Sequence, residues 1–254
     1  MIPKEALIKR AWFRFYAELN DFLPPERRMT AFAHRFIDAA PVKDMIESLG
    51  VPHTEIDLIL ANGQSVDFTY VVQAGDRISV YPVFEALDIA PLIRLRPQPL
   101  REPRFVLDTH LGRLAGYLRM AGFDVLYRND YGDEELARVS RDERRILLTR
   151  DVGLLKRGMV THGYFVRETA VRRQFAEVMR RFDLFRSVRP FTRCLRCNTV
   201  LEKAEKTEVA GRLPPRASEL YNEFRECPEC GRVYWKGGHY RRMSEFLTSA
   251  GQLS

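Results

Sequence analysis

The chain has 254 residues, 45% of them hydrophobic and 30% charged, with a formal net charge of +7 and a pI near 9.4. No stretch approaches the ~18 consecutive apolar residues of a membrane span, and MIPKEALIKRAWFRF lacks the apolar core of a signal peptide, which predicts a cytoplasmic protein with no membrane partner. Residues 1–95 sum to −3 and the remainder to +10, so the basic character, and with it the expectation of a polyanionic partner, belongs to the C-terminal part.

In chain order, WFRFYAEL alternates with period two and predicts a strand with Trp12 and Phe13 on opposite faces. HRFIDAAP repeats that alternation after a connection at Leu23–Pro25. VKDMIESLGVP sets Val42, Met45, Ile46 and Leu49 at helical spacing, stopped by Gly50 and Pro52. DLILANGQSV predicts a strand and an Asn62-Gly63 turn, and DRISVYP a last strand. Strand, strand, helix, strand, strand is the order of a β-grasp domain, placed at residues 1–95. Pro91, Pro97, Pro99 and Pro103 among charged residues then predict an extended Pro-rich linker, residues 96–103.

Beyond the linker strands and helices alternate: RFVLD, LGRLAGYLRMAG, FDVLYRND, DEELARVSRDERR, ILLTRD, a short helix, YFVRE and VRRQFAEVMRRF. Such alternation implies a parallel sheet with right-handed crossovers and a three-layer α/β/α domain, residues 104–190. Asp108 closes its first strand, Asp130 the second and Asp151 the third, while Asp133 begins the helix between. The carboxyl ends of parallel strands form a common crevice, so these carboxylates are expected to converge there. Crowded carboxylates need a counter-ion, and oxygen-only ligands suit Mg²⁺ or Mn²⁺. Each aspartate is equally a good cap or turn former, Asp133 above all, and Asp142 and Glu143 read as a solvated helix end. Arg150 and Lys156 belong to the same predicted crevice as phosphate contacts.

All four cysteines occur as two C-x-x-C pairs, Cys194/Cys197 and Cys227/Cys230, separated by 29 residues. Two such knuckles complete a closed tetrahedral site for a structural Zn²⁺, which predicts a zinc ribbon with a C-terminal tail over residues 191–254. Nine arginines lie between Arg167 and Arg196 against three acidic residues. Arg172, Arg173, Arg180 and Arg181 on the last helix, and Lys236, Arg241 and Arg242 among Tyr234, Trp235, His239 and Tyr240, form a candidate RNA-contact surface. The bland alternatives are a solvated helix face and, for Tyr234 and Trp235, the core of a small ribbon. His110, two positions after Asp108, offers a metal or acid-base role, but a capping or surface histidine is the more ordinary reading.

FVLDTHLGRLAGYLRMAGFDVLYRND, DEELARVSRDERRILLTRDVGLLKRG and CLRCN…CPECGRVYWKGGHYRRM, occurring in this order, together resemble the Mut-seven C-terminal RNase domain family, a PIN-like nuclease with an attached zinc ribbon. The resemblance covers roughly residues 104–245 and implies a metal-dependent ribonuclease, with Asp108, Asp133 and Asp151 at the family's acidic positions and Asp130 or Glu134 as a possible further acid. The implied partner is RNA, transfer RNA or another structured RNA among the candidates. The N-terminal part resembles the ubiquitin-like β-grasp domain fused to this nuclease, itself similar to sulfur carriers. The matching strand runs on as ISVYPVFEALDIA without a terminal Gly-Gly, so a binding or positioning role, with a protein partner, is expected instead of sulfur transfer. The expectation is a multi-domain α/β protein with metal-dependent endonuclease activity; the rival is a non-catalytic RNA-binding adaptor.

Overall fold

The computed structural model describes residues 8–82, 95 and 103–251; the Pro-rich linker expected at 96–103 and the run VFEALDIA lie, but for Pro103, outside the described residues. Tertiary contacts divide the chain into two compact units. The first combines the N-terminal part with Asp151–Phe165, and the second takes the chain up to Arg150 and again from Val166.

In the first unit the elements are β1 (Lys9–Phe15), β2 (Phe32–Phe36), α1 (Val42–Ser48), β3 (Ile56–Ala61), β4 (Gln64–Val66) and β5 (Arg77–Pro82). The sheet runs β2-β1-β5-β3-β4, with β1 and β5 parallel at its centre and the other pairings antiparallel, a ubiquitin-like arrangement. Alternation decides which face is buried: Phe13 and Phe15 are fully enclosed while Trp12 stays 47% exposed. Val42, Met45 and Ile46 of α1 close the core against Ile59, Ile78 and Val80. Asn62 (φ 52°) and Gly63 (φ 86°) make the tight left-handed turn between β3 and β4, as the Asn-Gly pair predicts.

The second unit holds β6 (Arg104–Leu107), α2 (Gly112–Met120), β7 (Asp124–Leu126), α3 (Asp133–Asp142) and β8 (Ile146–Thr149). β6 pairs in parallel with both β7 and β8, so this is a parallel-sheet α/β domain. Its central strand is enclosed, with Phe105, Val106 and Leu107 all at 0% exposure. Gly122 ends the run after α2 at φ 99°, where a Cβ would meet the Arg189 carbonyl oxygen at 2.1 Å. β7 stops at Leu126 and not at Asp130: Tyr127 instead turns its hydroxyl to the Thr109 carbonyl (3.0 Å), and Asn129–Asp130 form a turn.

Continuing along the chain, α4 (Val152–Leu155) and β9 (Gly163–Phe165) belong to the first unit. There Lys156 Nζ donates to the Glu47 carbonyl at the end of α1 (2.6 Å), His53 Nε2 meets the Val160 carbonyl (3.0 Å), and the buried Glu55 accepts from the Phe165 amide (2.7 Å). The β-grasp core therefore holds the segment that begins at Asp151. The second unit resumes with α5 (Val171–Arg181), β10 (Glu202–Ala204), α6 (Lys206–Val209), α7 (Pro215–Leu220), β11 (Phe224–Glu226), β12 (Val233–Trp235) and α8 (Gly238–Gly251). β10, β11 and β12 form an antiparallel sheet, and two short helices fill the stretch between the cysteine knuckles, which the sequence pattern left unread. No helix among the described residues is long and apolar enough to cross a membrane.

Candidate active site and metal centre

Asp108 follows the last residue of β6, the enclosed central strand, and is itself only 5% exposed. Its side chain caps the turn Thr109–Leu111: Oδ1 accepts from the His110 amide (2.8 Å) and the Thr109 hydroxyl (3.2 Å). Oδ2 accepts from Thr149 Oγ1 at 2.5 Å, and Thr149, the final residue of β8, is fully buried. The Asp108 amide in turn donates to the Leu148 carbonyl (3.1 Å). Every donor to this carboxylate is neutral, and among the described residues no Arg, Lys or His pairs with it. A buried carboxylate is poorly solvated and calls for a positive partner, which makes Asp108 the acidic group of this edge best suited to a cation. The His110 side chain is exposed and contributes only its amide.

The other acids sit differently. Asp130 is exposed and held by both arms of Arg128, at 2.9 Å each, and Arg128 also reaches Glu135 (2.9 Å). Hydrogen bonding to Arg128 keeps the Asp130 carboxyl below the ordinary carboxylate range. Its charge is thus already matched. Asp133 and Glu134 are exposed in the first turn of α3, where negative charge favours the helix N-terminus. Asp151 is exposed and caps α4, accepting from the amides of Gly153 (2.7 Å) and Leu154 (3.4 Å). The capping reading of Asp108 and Asp151 is therefore realised in both. Among the described residues the one group of three or more His, Cys, Asp or Glu whose ligand atoms lie within 4.8 Å of one another is the four cysteines; the aspartates do not form such a group.

The basic residues divide in the same way. One Nη of Arg150 is taken by the carbonyls of Val166, Arg167 and Glu168 at 2.7–2.8 Å, so that arm braces backbone. Lys156 is committed to the end of α1. On α5, Arg173 pairs with Glu168 (3.1 Å), Arg180 Nε reaches its own helix at Ala176 O (3.3 Å), and Arg181 is half-buried. Arg172 stacks over Phe246 at 5.3 Å. Lys236 pairs with Glu223 (2.7 Å), and Arg241 and Arg242 are exposed on α8.

The cysteines converge as their spacing predicts: Cys194 Sγ lies 3.6 Å from Cys230 Sγ and Cys197 Sγ 3.4 Å from Cys227 Sγ. Each knuckle closes the same way. The Asn198 amide donates to Cys194 O and the Gly231 amide to Cys227 O, with Asn198 and Gly231 both left-handed (φ 71° and 67°). Burial opposes ionisation of Cys194, but the amides of Cys197 and Arg196 and the Tyr234 hydroxyl (3.1 Å) outweigh it and bring the thiol down to about 6. Burial and the neighbouring thiols push Cys197 up to about 12. Four sulfurs this close, two of them buried, suit a soft-ligand tetrahedral ion, and zinc is the one such a donor set fits.

The knuckle is fastened to the edge of the parallel sheet by residues the sequence pattern did not single out. Asn198 Oδ1 accepts from the Val125 amide of β7 (2.9 Å), and its Nδ2 donates to Asp124 (2.8 Å). The buried Arg119 of α2 spans Val125 O (2.9 and 3.0 Å) and the carbonyls of Leu195 (3.2 Å) and Arg196 (2.6 Å). Asp124 also pairs with the buried Arg145 (2.6 Å). An Asn directly after C-x-x-C, in a position that needs the left-handed conformation, was the one local signal available. Tyr234 and Trp235 serve the small core, Tyr234 on the cysteines and Trp235 beside Phe224 and Val209. The His239 side chain lies outside the described residues.

The second unit thus joins a parallel-sheet α/β domain with an acidic strand end to a docked four-cysteine knuckle, a combination that comparison with known families identifies. The Mut7-C RNAse domain model matches residues 103–247, and the Mut7-C ubiquitin model matches residues 8–88. The chain belongs to the Mut7-C RNase domain family, with its ubiquitin-like domain at the N-terminus. No curated protein and no solved structure matches it.

Proposed function

We propose that the protein is a cytoplasmic, metal-dependent endoribonuclease of PIN-like type. The observation that carries the reading is the buried Asp108 carboxylate at the end of the central parallel strand, supplied with neutral donors and, among the described residues, no basic partner. Mg²⁺ is commonly held by one or two carboxylates and completed by water and substrate phosphate, and the oxygen donors here suit it or Mn²⁺. Asp108 would hold the ion, with Asp133 and Asp151, the residues at the family's acidic positions, as the further carboxylates. Bound there, a hard divalent ion acidifies water and stabilises the charge that builds on a phosphate during in-line displacement.

The chain's own residues do the rest. Thr149 and the His110 amide orient Asp108. The β-grasp domain positions the Asp151 segment through Glu55, His53 and the Glu47 carbonyl, and offers the remainder of its surface to a protein partner. Arginines of α2, α5 and α8 hold the RNA backbone with little reading of sequence. Products then carry 5′-phosphate and 3′-hydroxyl ends.

The test is incubation of an unstructured RNA and a transfer RNA pool with the purified chain in Mg²⁺ or Mn²⁺. Cleavage is expected with either ion and is abolished by EDTA. Cleavage that survives EDTA overturns the metal mechanism, and RNA binding without cleavage under all ions favours an adaptor.

A further inference from the structure

Two neighbouring cavities of the second unit adjoin the thiolate site and the acidic edge without containing any of their carboxylates or thiols. One, about 280 Å³, is walled by Phe191, Tyr234, Trp235 and Tyr240 and lined also by Arg193. The other, about 370 Å³, runs along α2 from Gly112 to Met120 and is lined by Arg113, Arg172 and Arg242. Met120 and Leu195 line both, so the cavities adjoin. We propose that they bind one stretch of single-stranded RNA, an unstacked nucleobase entering the aromatic cavity and the adjacent phosphate lying among the three arginines. The inference deepens the nuclease reading and takes its polymer from it.

Four aromatic walls in one small cavity match the mode by which proteins grip splayed bases, where each stacked base is worth roughly tenfold or more in affinity. At about 280 Å³ the cavity falls just below the ~300–1,000 Å³ of small-molecule sites, which suits one planar heterocycle better than a peptide segment. The walls are fixed before any ligand arrives. The Tyr234 hydroxyl is held between Cys194 Sγ and the Leu195 amide, each at 3.1 Å. Phe191 adopts φ 67°, a conformation rare for a bulky residue, with the Tyr240 ring edge-on at 5.6 Å. Arg225 and Lys236, the latter paired with Glu223, lie 5.4 and 5.8 Å from the Phe191 ring centre, so that Arg225 adds positive charge beside the cavity.

The second cavity supplies the complement. Among the described residues Arg113, Arg172 and Arg242 pair with no carboxylate, whereas Arg128, Arg141, Arg145, Arg173 and Arg212 all do. Three uncompensated guanidinium groups around one hollow are a phosphate site. The hollow begins at Gly112, the first residue of α2, directly after the turn that Asp108 caps. A base seated in the ribbon thus sets which phosphate reaches the acidic edge, so cleavage is registered from a single-stranded nucleotide.

The test uses the full zinc-loaded chain without added Mg²⁺ or Mn²⁺ and a fluorescein-labelled, unstructured RNA 12-mer. A companion set of the same RNA carries one abasic residue at each successive position. Anisotropy should show one abasic position that weakens binding about tenfold. Tyr240→Ala should weaken the intact RNA by a similar factor and flatten the scan, while Tyr240→Phe keeps both. Gly116→Leu projects a side chain into the arginine-lined cavity from a position whose Cβ meets nothing within 4 Å. It should weaken binding with the ribbon untouched, and it decides alone if Tyr240→Ala fails to fold or to hold zinc. A flat scan with the natural protein, or wild-type affinity in folded Gly116→Leu, overturns the proposal. Because binding is read without cleavage, a chain that shows this pattern but never cuts RNA contradicts only the nuclease reading, and one that cuts RNA with a flat scan contradicts only this one.

Discussion

Thr149 donates its hydroxyl to Asp108 across 2.5 Å, joining the ends of two parallel strands through a side chain with no exposed surface. Thr149→Val keeps the shape and removes the donor. Losing one partner of a buried polar pair costs about 1–3 kcal/mol. Denaturant unfolding should register that loss, and cleavage by the folded variant should fall by an order of magnitude because Asp108 is no longer oriented. Unchanged stability and rate would show that the hydroxyl is incidental.

Asn198 couples the knuckle to the sheet. Asn198→Ala leaves the Val125 amide of β7 without its acceptor and puts an alanine at φ 71°, so a loss of about 1–3 kcal/mol is expected. Asn198→Gly relieves the backbone strain but not the lost bond, and should fall between alanine and the natural residue in thermal unfolding.

Asp124 gives this junction a pH dependence. Burial pushes its carboxyl up, but hydrogen bonds from Arg145 and Asn198 and the charges of Arg145 and Arg193 outweigh it, leaving the group below its ordinary 3.8. A depressed carboxyl stabilises the fold above that value and loses its contribution as pH falls through the lower, folded value. The natural protein should therefore lose stability below about pH 4 more steeply than Asp124→Asn. Matching acid profiles would mean that the ion pair contributes nothing.

One tightly held zinc per chain is expected from metal analysis, as a closed four-thiolate site implies. Cys227→Ser should lose it and unfold the ribbon, since binding free energy of such sites is folding free energy. Zinc retained in full by that variant would contradict the site.

The β-grasp domain was legible because its pattern is local: Phe13 and Phe15 alternate with exposed residues, and Asn62-Gly63 sets the hairpin. The cysteine site was legible because C-x-x-C spacing is itself geometric. YRND continues a plausible strand to Asp130; the Arg128–Asp130 pair is local, two residues apart, but the contact that turns Tyr127 away, its hydroxyl on the Thr109 carbonyl, joins residues that only the fold brings together. Thr149, Arg119 and Asn198 share that reason. Nothing in a single sequence distinguishes an aspartate matched by Arg128 from one that is buried and, among the described residues, has no basic partner, yet that difference separates Asp130 from Asp108.

Glu55, 1% exposed, accepts the Phe165 amide and so anchors the segment that starts at Asp151 to the β-grasp core. Glu55→Ala should lower RNA cleavage while leaving zinc content and RNA affinity as they were. Wild-type cleavage by that variant would mean that the domain does not position the Asp151 segment.

The most direct measurement is the rate at which an end-labelled RNA is cut in Mn²⁺ by the natural chain and by Asp108→Asn, with folding and zinc content checked for both. The account predicts that the folded variant loses about a thousandfold or more, on the scale of removing a principal source of transition-state charge stabilisation. Cutting by folded, zinc-loaded Asp108→Asn at the natural rate would contradict it.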